Sequence, residues 1–387
     1  MRWLLINADY PAFLDWLYAS QPGLESMDYS SQMRARNATL FGTADFYSSH
    51  LRRLGHEASD VHFNNAPLQA AWAAEHGVAV PAGGSTTSGG ALRKAAALAP
   101  GSARRLVAPL IHRLRQRRTW FHDVLAAQIA DYRPDIIFNH DPAIVSSRFL
   151  EEVRGRARLL VAQIASPPPP IDDLRRYDLV LSSIPHLVQR FRNGGAASDL
   201  LRLAFERRIL DVLGPASPTV DVSFVGTLSA HHASRIAFLR RLREDVELSV
   251  WAPHAPPKTA GPLLRASYMG PAWGTNMFNV LRSSRVTINH HIDVAGNDAN
   301  NMRLFEATGV GTLLLTDRKS NLADLFESPR EVVTYRDAED CAETIGYFLS
   351  HEADRAAVAD AGQRRTLSDH SYDQRMPELV SLIEARL

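Results

Sequence analysis

Residues 300–326, NNMRLFEATGVGTLLLTDRKSNLADLF, contain a predicted helix that leads into a buried strand. The helix begins with two amides and Arg303, and it carries the carboxylate Glu306 one turn further on. Two glycines then separate it from the apolar run 312–316. Backbone N–H groups and the positive dipole end of a helix favour phosphate, while a carboxylate accepts hydrogen bonds from sugar hydroxyls. The segment therefore predicts a site for an anion attached to a polyol, as in a nucleotide-sugar diphosphate.

Short apolar strands alternate with amphipathic helices along the rest of the chain. This alternation of strands and helices predicts an α/β protein with parallel sheets. Glycine and proline at 207–219 predict a linker. We therefore expect two Rossmann-like domains, 1–206 and 220–387, that face a cleft, with the C-terminal helices packing back towards the N-terminal domain. Open α/β sheets bind ligands at the carboxyl ends of their strands, so each strand-to-helix junction is a candidate site.

Length and composition exclude several classes of protein. The 387 residues suffice for two domains, and a net charge of +1 gives no sign of nucleic-acid binding. The single cysteine, Cys341, excludes an internal disulfide and favours a reducing, cytoplasmic location. No apolar run reaches the roughly 18 residues that a membrane helix needs. Asn7 and Asp9 interrupt the N-terminal apolar run, which predicts a first strand rather than a signal peptide.

Two strand ends of the second half carry candidate contacts for a nucleotide-sugar donor. Gly226 allows a ligand to approach the backbone closely, and Thr227 is a candidate donor to phosphate. Arg235, on the next helix, is a candidate partner of the diphosphate, and Trp251 is a candidate contact of the base. A tight turn and a buried core aromatic are the ordinary structural alternatives.

The segment Asn289-His290-His291-Ile292-Asp293 ends another strand and resembles a metal site at first glance. Adjacent side chains on an extended segment point to opposite faces, so the two histidines do not easily share one ion. We therefore predict no metal, and interpret Asn289 and His290 as polar contacts to the donor sugar or phosphate.

The polar loop 296–303 leads into the helix that carries Glu306. An asparagine there is also a common helix cap, which is the alternative interpretation. The loop holds more polar groups than a cap needs, and the planar fork of arginine suits phosphate. We therefore predict that the donor contacts the residues of this segment, which are Asn300, Asn301, Met302, Arg303 and Glu306.

The first half offers candidates for the acceptor side of the cleft. Asn139 and His140 follow one predicted strand, and Ser166 and His186 end the next two. Among several histidines, His140 is the first candidate for an acid, a base or a sugar contact. Loop polarity is the alternative for each residue. The arginine-rich segment 104–118 is either a solvated helix face or a contact for an anionic lipid at a membrane surface.

The C-terminal half resembles bacterial GT-B glycosyltransferases, namely the family 1-like group that includes CgeB-type spore-maturation proteins. The resemblance covers about 220–383 and rests on FVGTL at 224–228, NMRLFEATGVGTLLLTD at 301–317, LADLFE at 322–327, the segment 331–375 and the closing helix. The first half is similar to the N-terminal domain of such enzymes in a looser way, through segments at 41–61, 163–170 and 177–195.

This resemblance implies an N-terminal acceptor domain and a C-terminal donor domain. It implies that Arg303 contacts the diphosphate, that Glu306 contacts the ribose, and that Gly226 and Thr227 lie near the phosphates. Related retaining enzymes have a Glu-x7-Glu pattern, whose second position matches Glu306. Asp298 stands at the first position, as a shorter carboxylate near the reaction centre. The usual lysine after the first strand is absent, and Arg235 is its expected substitute.

The implied activity is that of a metal-independent hexosyltransferase that uses a UDP-, GDP- or dTDP-sugar and holds no permanent cofactor. A retaining outcome is favoured, whereas an inverting one would require a base from the first half, for which His140 is the candidate. The acceptor stays open between a glycan, a lipid, a protein and a small molecule. Two alternatives are a catalytically idle GT-B-like structural or sugar-binding protein and a nucleotide-sugar epimerase.

Overall fold

The computed structural model describes residues 1–81, 119–215, 217–229 and 232–387. Within these ranges, all strands belong to two six-stranded sheets, and every pairing between strands is parallel. The predicted α/β class with two Rossmann-like sheets is confirmed. The segment 104–118, with its predicted arginine-rich helix, lies outside the described residues.

The first sheet has the strand order β2-β1-β3-β4-β5-β6. Its central strands are buried along most of their length, which is why they appear in the sequence as nearly continuous apolar runs. The strands are β1 (Arg2–Asn7), β2 (Glu57–His62), β3 (Ile136–Asn139), β4 (Leu159–Gln163), β5 (Leu179–Ser182) and β6 (Ser198–Leu200). The described helices of this half are α1 (Pro11–Ser20), α2 (Tyr29–Ala38), α3 (Phe46–Arg53), α4 (Ala66–Glu75), α5 (Trp120–Tyr132), α6 (Ser147–Glu152), α7 (Ile171–Leu174) and α8 (Pro185–Asn193).

The second sheet has the order β12-β11-β10-β7-β8-β9. Its strands are β7 (Val220–Val225), β8 (Ser249–Trp251), β9 (Tyr268–Gly270), β10 (Ser284–Asn289), β11 (Leu313–Asp317) and β12 (Val333–Tyr335). The helices that accompany it are α9 (Arg208–Val212), α10 (Ala233–Asp245), α11 (Gly261–Ala266), α12 (Thr275–Arg282), α13 (Met302–Gly309), α14 (Ala338–Ser350), α15 (Glu352–Asp369) and α16 (Tyr372–Glu384). The predicted domain boundary at 207–219 lies between β6 and β7 and stays a prediction.

One of the hydrophobic cores contains residues of both halves, and the C-terminal helix α16 contributes to it. The Tyr372 ring, at the start of α16, lies 5.4 Å from the rings of Phe46 and Tyr47 on α3. Before this helix, the backbone N–H of Phe205 donates to His370 O at 2.7 Å, and that of Tyr372 donates to Phe205 O at 3.1 Å. The predicted return of the C-terminal helices to the first half is therefore confirmed.

The halves also approach each other closely at Gly309, the last residue of α13. A Cβ there would lie 2.5 Å from the Phe205 ring, a distance at which something must move. Glycine is therefore required by space at this position, because the aromatic ring occupies the place of a side chain. No described helix is long and apolar enough to cross a bilayer.

Candidate functional site

A cavity of about 460 Å³ lies between the two halves, at the carboxyl edge of the first sheet. Residues that follow β1, β3 and β4 form one wall, and Met302 and Tyr372 contribute from the second half. The described lining includes these polar residues: Asn7, Asp9, Tyr10, Thr43, His140, Asp141, Gln163 and Ser166. Of the residues predicted from sequence, His140, Ser166 and Met302 therefore lie in one cleft.

The start of helix α13 is fixed by a chain of amide hydrogen bonds. Asn301 Oδ1 accepts from the backbone N–H of Leu304 at 3.2 Å, which caps the helix. Asn301 Nδ2 donates to Asn289 Oδ1 at 2.6 Å, and Asn289 Nδ2 donates to Thr316 Oγ1 at 2.9 Å. These amides thus hold α13 against β10 and β11, and the predicted donor contacts of Asn289 and Asn301 stay predictions.

Asn300 and Met302 flank that cap in different surroundings. Asn300 is buried, in a narrow crevice beside Phe305 and Asn321. Met302 is half-buried and faces the cleft cavity. The prediction that Asn300 contacts a donor is therefore not supported by its position, whereas Met302 is accessible from the cleft.

Arg303 and Glu306 lie together at the carboxyl end of β7. Arg303 Nε donates to Val225 O at 3.2 Å, and Arg303 Nη1 lies 2.8 Å from Glu306 Oε2. Burial raises the pKa of Glu306, and the positive charge of Arg303 opposes that shift. The pair thus brings one cation and one buried carboxylate to the junction that the sequence predicts for a donor.

Gly226 and Thr227 stand at the same strand end. Gly226 N–H donates to Trp251 O at 2.9 Å, which ties β7 to β8, and a Cβ on this glycine would lie 3.1 Å from the Phe224 ring. Thr227 is exposed. Trp251 is half-buried and packs against the core of both halves, in agreement with the core alternative for this residue. Gly226 and Thr227 are thus accessible beside Arg303.

Arg235 makes hydrogen bonds that the sequence did not predict. Its Nε and Nη2 donate to His290 O at 3.0 and 2.7 Å, and its Nη1 donates to Thr227 O at 3.0 Å. Burial lowers the pKa of this guanidinium to about 10. Because these donors bind backbone carbonyls, Arg235 clamps the ends of β7 and β10 together. Its predicted contact with the diphosphate stays a prediction.

The two adjacent histidines after β10 point to separate partners. His290 stacks on Phe238 at 4.7 Å, and its Nδ1 lies 3.1 Å from Tyr335 Oη. His291 Nδ1 lies 2.6 Å from Asp317 Oδ1. Burial lowers the pKa of His290, whose ring lines a separate cavity together with Asp317 and Lys319. Among the described residues, no group of three metal-binding side chains comes together.

Asp298 and His186 meet across the cleft. His186 Nδ1 lies 2.7 Å from Asp298 Oδ2, and the backbone N–H of His186 donates to the same oxygen at 3.2 Å. Asp298 belongs to the loop before α13, which Lys319 also holds by donating to Gly296 O at 2.7 Å. The sequence predicts one residue on each side of the cleft, and the structure joins them by a hydrogen bond.

His140 lies in aromatic surroundings that the sequence does not reveal. Its ring centroid is 4.5 Å from that of Tyr47 and 4.7 Å from that of Phe138. Burial lowers its pKa to about 3. A base works best when its pKa lies near the working pH, so the predicted role of His140 as catalytic base is not supported. The ring remains a candidate sugar contact.

The position of Asn139 does not support its predicted contact with the acceptor. It is fully buried, and its Nδ2 donates to Val145 O at 2.9 Å and to Tyr177 Oη at 2.8 Å. These bonds hold the loop after β3 in place. The exposed Ser166, by contrast, does lie in the cleft wall.

Several solved structures share this two-sheet architecture over the whole chain. A glycosyltransferase from Rickettsia africae aligns with a TM-score of 0.58 at 10% identity, over 100% of this chain and 98% of that chain. Anabaena Alr3699/HepE in complex with UDP and glucose aligns with a TM-score of 0.58 at 12% identity, over 100% of both chains. The chain has the GT-B fold. Sucrose-phosphate synthase from Thermosynechococcus elongatus is similar as well, with a TM-score of 0.57, 10% identity and coverage of 100% and 99%.

A family comparison adds information on the second half. Residues 234–381 match the model of the family described as glycosyl transferase-like. Comparison with curated proteins gives no match. This match lies within the second half and includes Asp298, Arg303 and Glu306.

The GT-B cleft also contains polar residues that the sequence did not single out. Asp9 follows β1 and is buried, with Oδ1 2.5 Å from Arg36 Nη2 and Oδ2 3.0 Å from His62 Nδ1. The exposed Tyr10 comes next to it. Both residues follow a predicted strand, so the rule that ligands bind at the carboxyl ends of strands would have found them.

Proposed function

We propose that the protein is a glycosyltransferase that moves a hexose from a nucleotide-diphosphate sugar to an acceptor in the cleft. The observation that carries this proposal is the Arg303–Glu306 pair beside Gly226, where β7 ends and α13 begins. The GT-B fold and the glycosyl transferase-like match over 234–381 support it. The solved complex of HepE with UDP and glucose, a protein of the same fold, supports UDP as the first nucleotide to test.

Arg303 would hold the diphosphate of the donor. Its guanidinium forms charge-assisted bonds to phosphate oxygens, and the N-terminus of α13 adds a favourable dipole. Glu306, buried one turn further on, would accept hydrogen bonds from the ribose hydroxyls. The exposed Thr227 and the open backbone at Gly226 lie at the same strand end. Arg303 and the helix dipole thus supply the positive charge that the departing diphosphate requires, in a metal-independent reaction.

The transfer exchanges one bond for another. The bond between the anomeric carbon and the diphosphate oxygen breaks, and the anomeric carbon bonds to an acceptor hydroxyl oxygen. The diphosphate leaves with the electron pair and takes the hydroxyl proton. We propose this retaining course because His140 is a weak base and the carboxylate of Asp9 is paired with Arg36. Asp298, eight positions before Glu306, would face the sugar near the anomeric carbon.

The motifs at 224–228 and 301–317 further support a relationship to the CgeB-type group. The donor is tested by a thermal-shift screen with UDP-, GDP- and dTDP-sugars, because a ligand that binds only the folded state raises its melting temperature. We expect one nucleotide class to stabilise the protein and its sugar to appear on an added acceptor. No stabilisation by any of them would favour an idle GT-B-like protein. Conversion of the donor sugar without an acceptor would favour an epimerase.

A further inference from the structure

Tyr372, which lines the cleft cavity, is a buried residue with a polar group that the packing does not use. Its ring lies 5.4 Å from those of Phe46 and Tyr47 and 5.8 Å from that of His50, and the residue is only 3% exposed. Its hydroxyl forms no hydrogen bond with a described residue, yet its oxygen is not closed off from solvent. Buried polar groups normally have a partner, and a phenylalanine would fill the same space. The hydroxyl is therefore available to a ligand in the cavity.

The surroundings of Tyr372 hold this hydroxyl in one place. Ser371, directly before it, pairs in parallel with Phe205. The Tyr47 ring meets the Tyr372 ring edge to face, at an interplanar angle of 68°. Tyr47 is itself anchored, because its O–H donates to Gln163 Oε1 at 2.9 Å. A group that is already oriented loses little entropy when it binds a ligand.

The Tyr372 hydroxyl is a hydrogen-bond donor. Burial holds the pKa of Tyr372 well above its ordinary value, and the neighbouring Tyr47 raises it further. The charges of Glu206 and Glu306 act in the same direction, and the charge of Arg375 opposes only part of the shift. The phenol therefore keeps its proton at neutral pH, so that it donates a hydrogen bond and does not act as a base.

This hydroxyl lies where the proposed donor site opens into the cleft. Met302, which precedes Arg303 on α13, lines the same cavity as Tyr372. The charge of Glu306 acts on Tyr372, so the proposed ribose contact is within electrostatic reach of the phenol. The transferred sugar must extend from the diphosphate into this cavity, because its anomeric carbon has to meet the acceptor there.

We propose that Tyr372 is a specificity-determining residue, which donates a hydrogen bond to a hydroxyl of the transferred sugar. This inference rests on the proposed function, because it assigns a contact to the sugar of the same donor. It gives helix α16, which begins at Tyr372, a part in substrate recognition in addition to its packing against the first half.

Calorimetry on the full chain tests the contact by comparing each nucleoside diphosphate with its sugar derivatives. The probes are UDP with UDP-glucose, UDP-galactose and UDP-N-acetylglucosamine, GDP with GDP-mannose, and dTDP with dTDP-glucose. Tyr372→Phe removes the hydroxyl and keeps the ring. We expect it to weaken the tightest nucleotide-sugar about fivefold and to leave the matching diphosphate within about twofold. Equal affinity of the wild type and Tyr372→Phe for the nucleotide-sugar overturns the inference.

A purely structural role of the hydroxyl gives a different result. It would lower the melting temperature of Tyr372→Phe and weaken the diphosphate and its sugar derivative equally, which also overturns the inference. We expect the melting temperature to change by less than about 2 °C. The matched control is Tyr132→Phe, because the hydroxyl of the half-buried Tyr132 likewise bonds to no described residue. Tyr132 ends α5, outside the described lining of the cavity, so this variant should bind both ligands like the wild type.

Deoxy analogues of the tightest donor identify the hydroxyl that Tyr372 contacts. We expect one of the 2-, 3-, 4- and 6-deoxy sugars to bind the wild type about fivefold more weakly and to bind Tyr372→Phe equally well as the wild type. A difference between the two proteins that persists with all four analogues contradicts the contact. Failure of the wild type to bind any diphosphate would argue against the proposed function, whereas binding of a diphosphate but of none of its sugar derivatives overturns only this inference.

Discussion

Arg303 Nη1 lies 2.8 Å from Glu306 Oε2, so the two residues on which the proposed donor site depends are paired with each other. They are three positions apart on one helix, where side chains are neighbours. Both side chains are nearly buried, at 13% and 11% exposure, so their interaction is poorly screened by water. A donor diphosphate would therefore bind to a guanidinium that is already oriented by Glu306 and by Val225 O.

Arg303→Lys tests whether that orientation matters. Lysine keeps the charge but loses the planar fork and the bond from Nε to Val225 O. We expect about tenfold weaker binding of the nucleoside diphosphate, measured by calorimetry. Arg330→Lys is the matched control, since Arg330 also pairs with a glutamate three positions away but is exposed. Equal affinity of Arg303→Lys and wild type would mean that only charge is needed.

Arg235→Ala tests whether that arginine supports the strand ends or binds the diphosphate. The substitution leaves His290 O and Thr227 O without their donors, so we expect a loss of roughly 3 kcal/mol in the free energy of unfolding. The exposed Arg240→Ala on the same helix is the control, with a change below about 0.5 kcal/mol. In the folded variant, nucleotide affinity should stay within about threefold of wild type. A large loss of affinity at full stability would restore Arg235 as a diphosphate ligand.

The burial of His140 makes stability depend on pH. The unfolded chain takes up its proton near pH 6.5, whereas the folded protein does so only near pH 3, because burial and, to a smaller extent, the charge of His62 disfavour the charged ring. Between these values the unfolded state binds more protons, so stability falls as pH falls, by up to about 1.4 kcal/mol per pH unit.

His140→Gln should remove that contribution. Urea unfolding at pH 7.5 and 5.0 should therefore show a pH-dependent loss of stability that is about 2 kcal/mol smaller in the variant than in wild type. His351→Gln, at an exposed histidine, should leave the dependence unchanged. If both variants retain the wild-type dependence, His140 titrates normally in the folded protein and returns as a candidate base.

Asp298→Asn tests whether Asp298 takes part in sugar transfer or only joins the two halves through His186. The pair with His186 is partly exposed and is worth at most about 1 kcal/mol, so the variant should fold normally. We expect sugar transfer to fall about 100-fold with nucleotide affinity within about twofold, because Asp298 would act near the anomeric carbon. His186→Gln breaks the same pair from the other side and should cost much less. Equal losses in both variants would show that Asp298 acts only by joining the halves.

Gly309→Ala tests the packing between the halves. The added methyl would lie 2.5 Å from the Phe205 ring, so we expect a loss of about 1–3 kcal/mol in the free energy of unfolding. Gly346→Ala on α14 is the matched control, since a Cβ there meets nothing within 4 Å and alanine favours the helix. Chemical denaturation of both variants measures the difference. A neutral Gly309→Ala would mean that the halves separate easily at this contact.

The fold could be predicted because each strand leaves a local pattern in the sequence. A parallel strand buried on both faces leaves an apolar run such as 312–316, and glycine or proline marks where it stops. The same rule predicts which residues lie at a carboxyl edge. Arg303, Glu306, Gly226 and Thr227 therefore come together at the predicted junction.

What the sequence did not predict is where each polar group forms its hydrogen bonds. Asn289 and Arg235 stand at the correct edge, but their bonds go to Thr316, Asn301 and two backbone carbonyls. The pKa of His140 depends on burial beside Tyr47, about 90 residues earlier in the chain. The pairing of His186 with Asp298 likewise joins residues 112 positions apart. Such partners follow from tertiary packing and leave no local pattern.

The central claim is tested most directly by calorimetric titration of UDP, GDP and dTDP into the wild type, Arg303→Ala and Glu306→Gln. We predict that one nucleotide binds the wild type and that its affinity falls at least about tenfold in each variant. Thermal unfolding of the same samples verifies that they are folded. Unchanged affinity in both folded variants would contradict the assignment of Arg303 and Glu306 as the donor site.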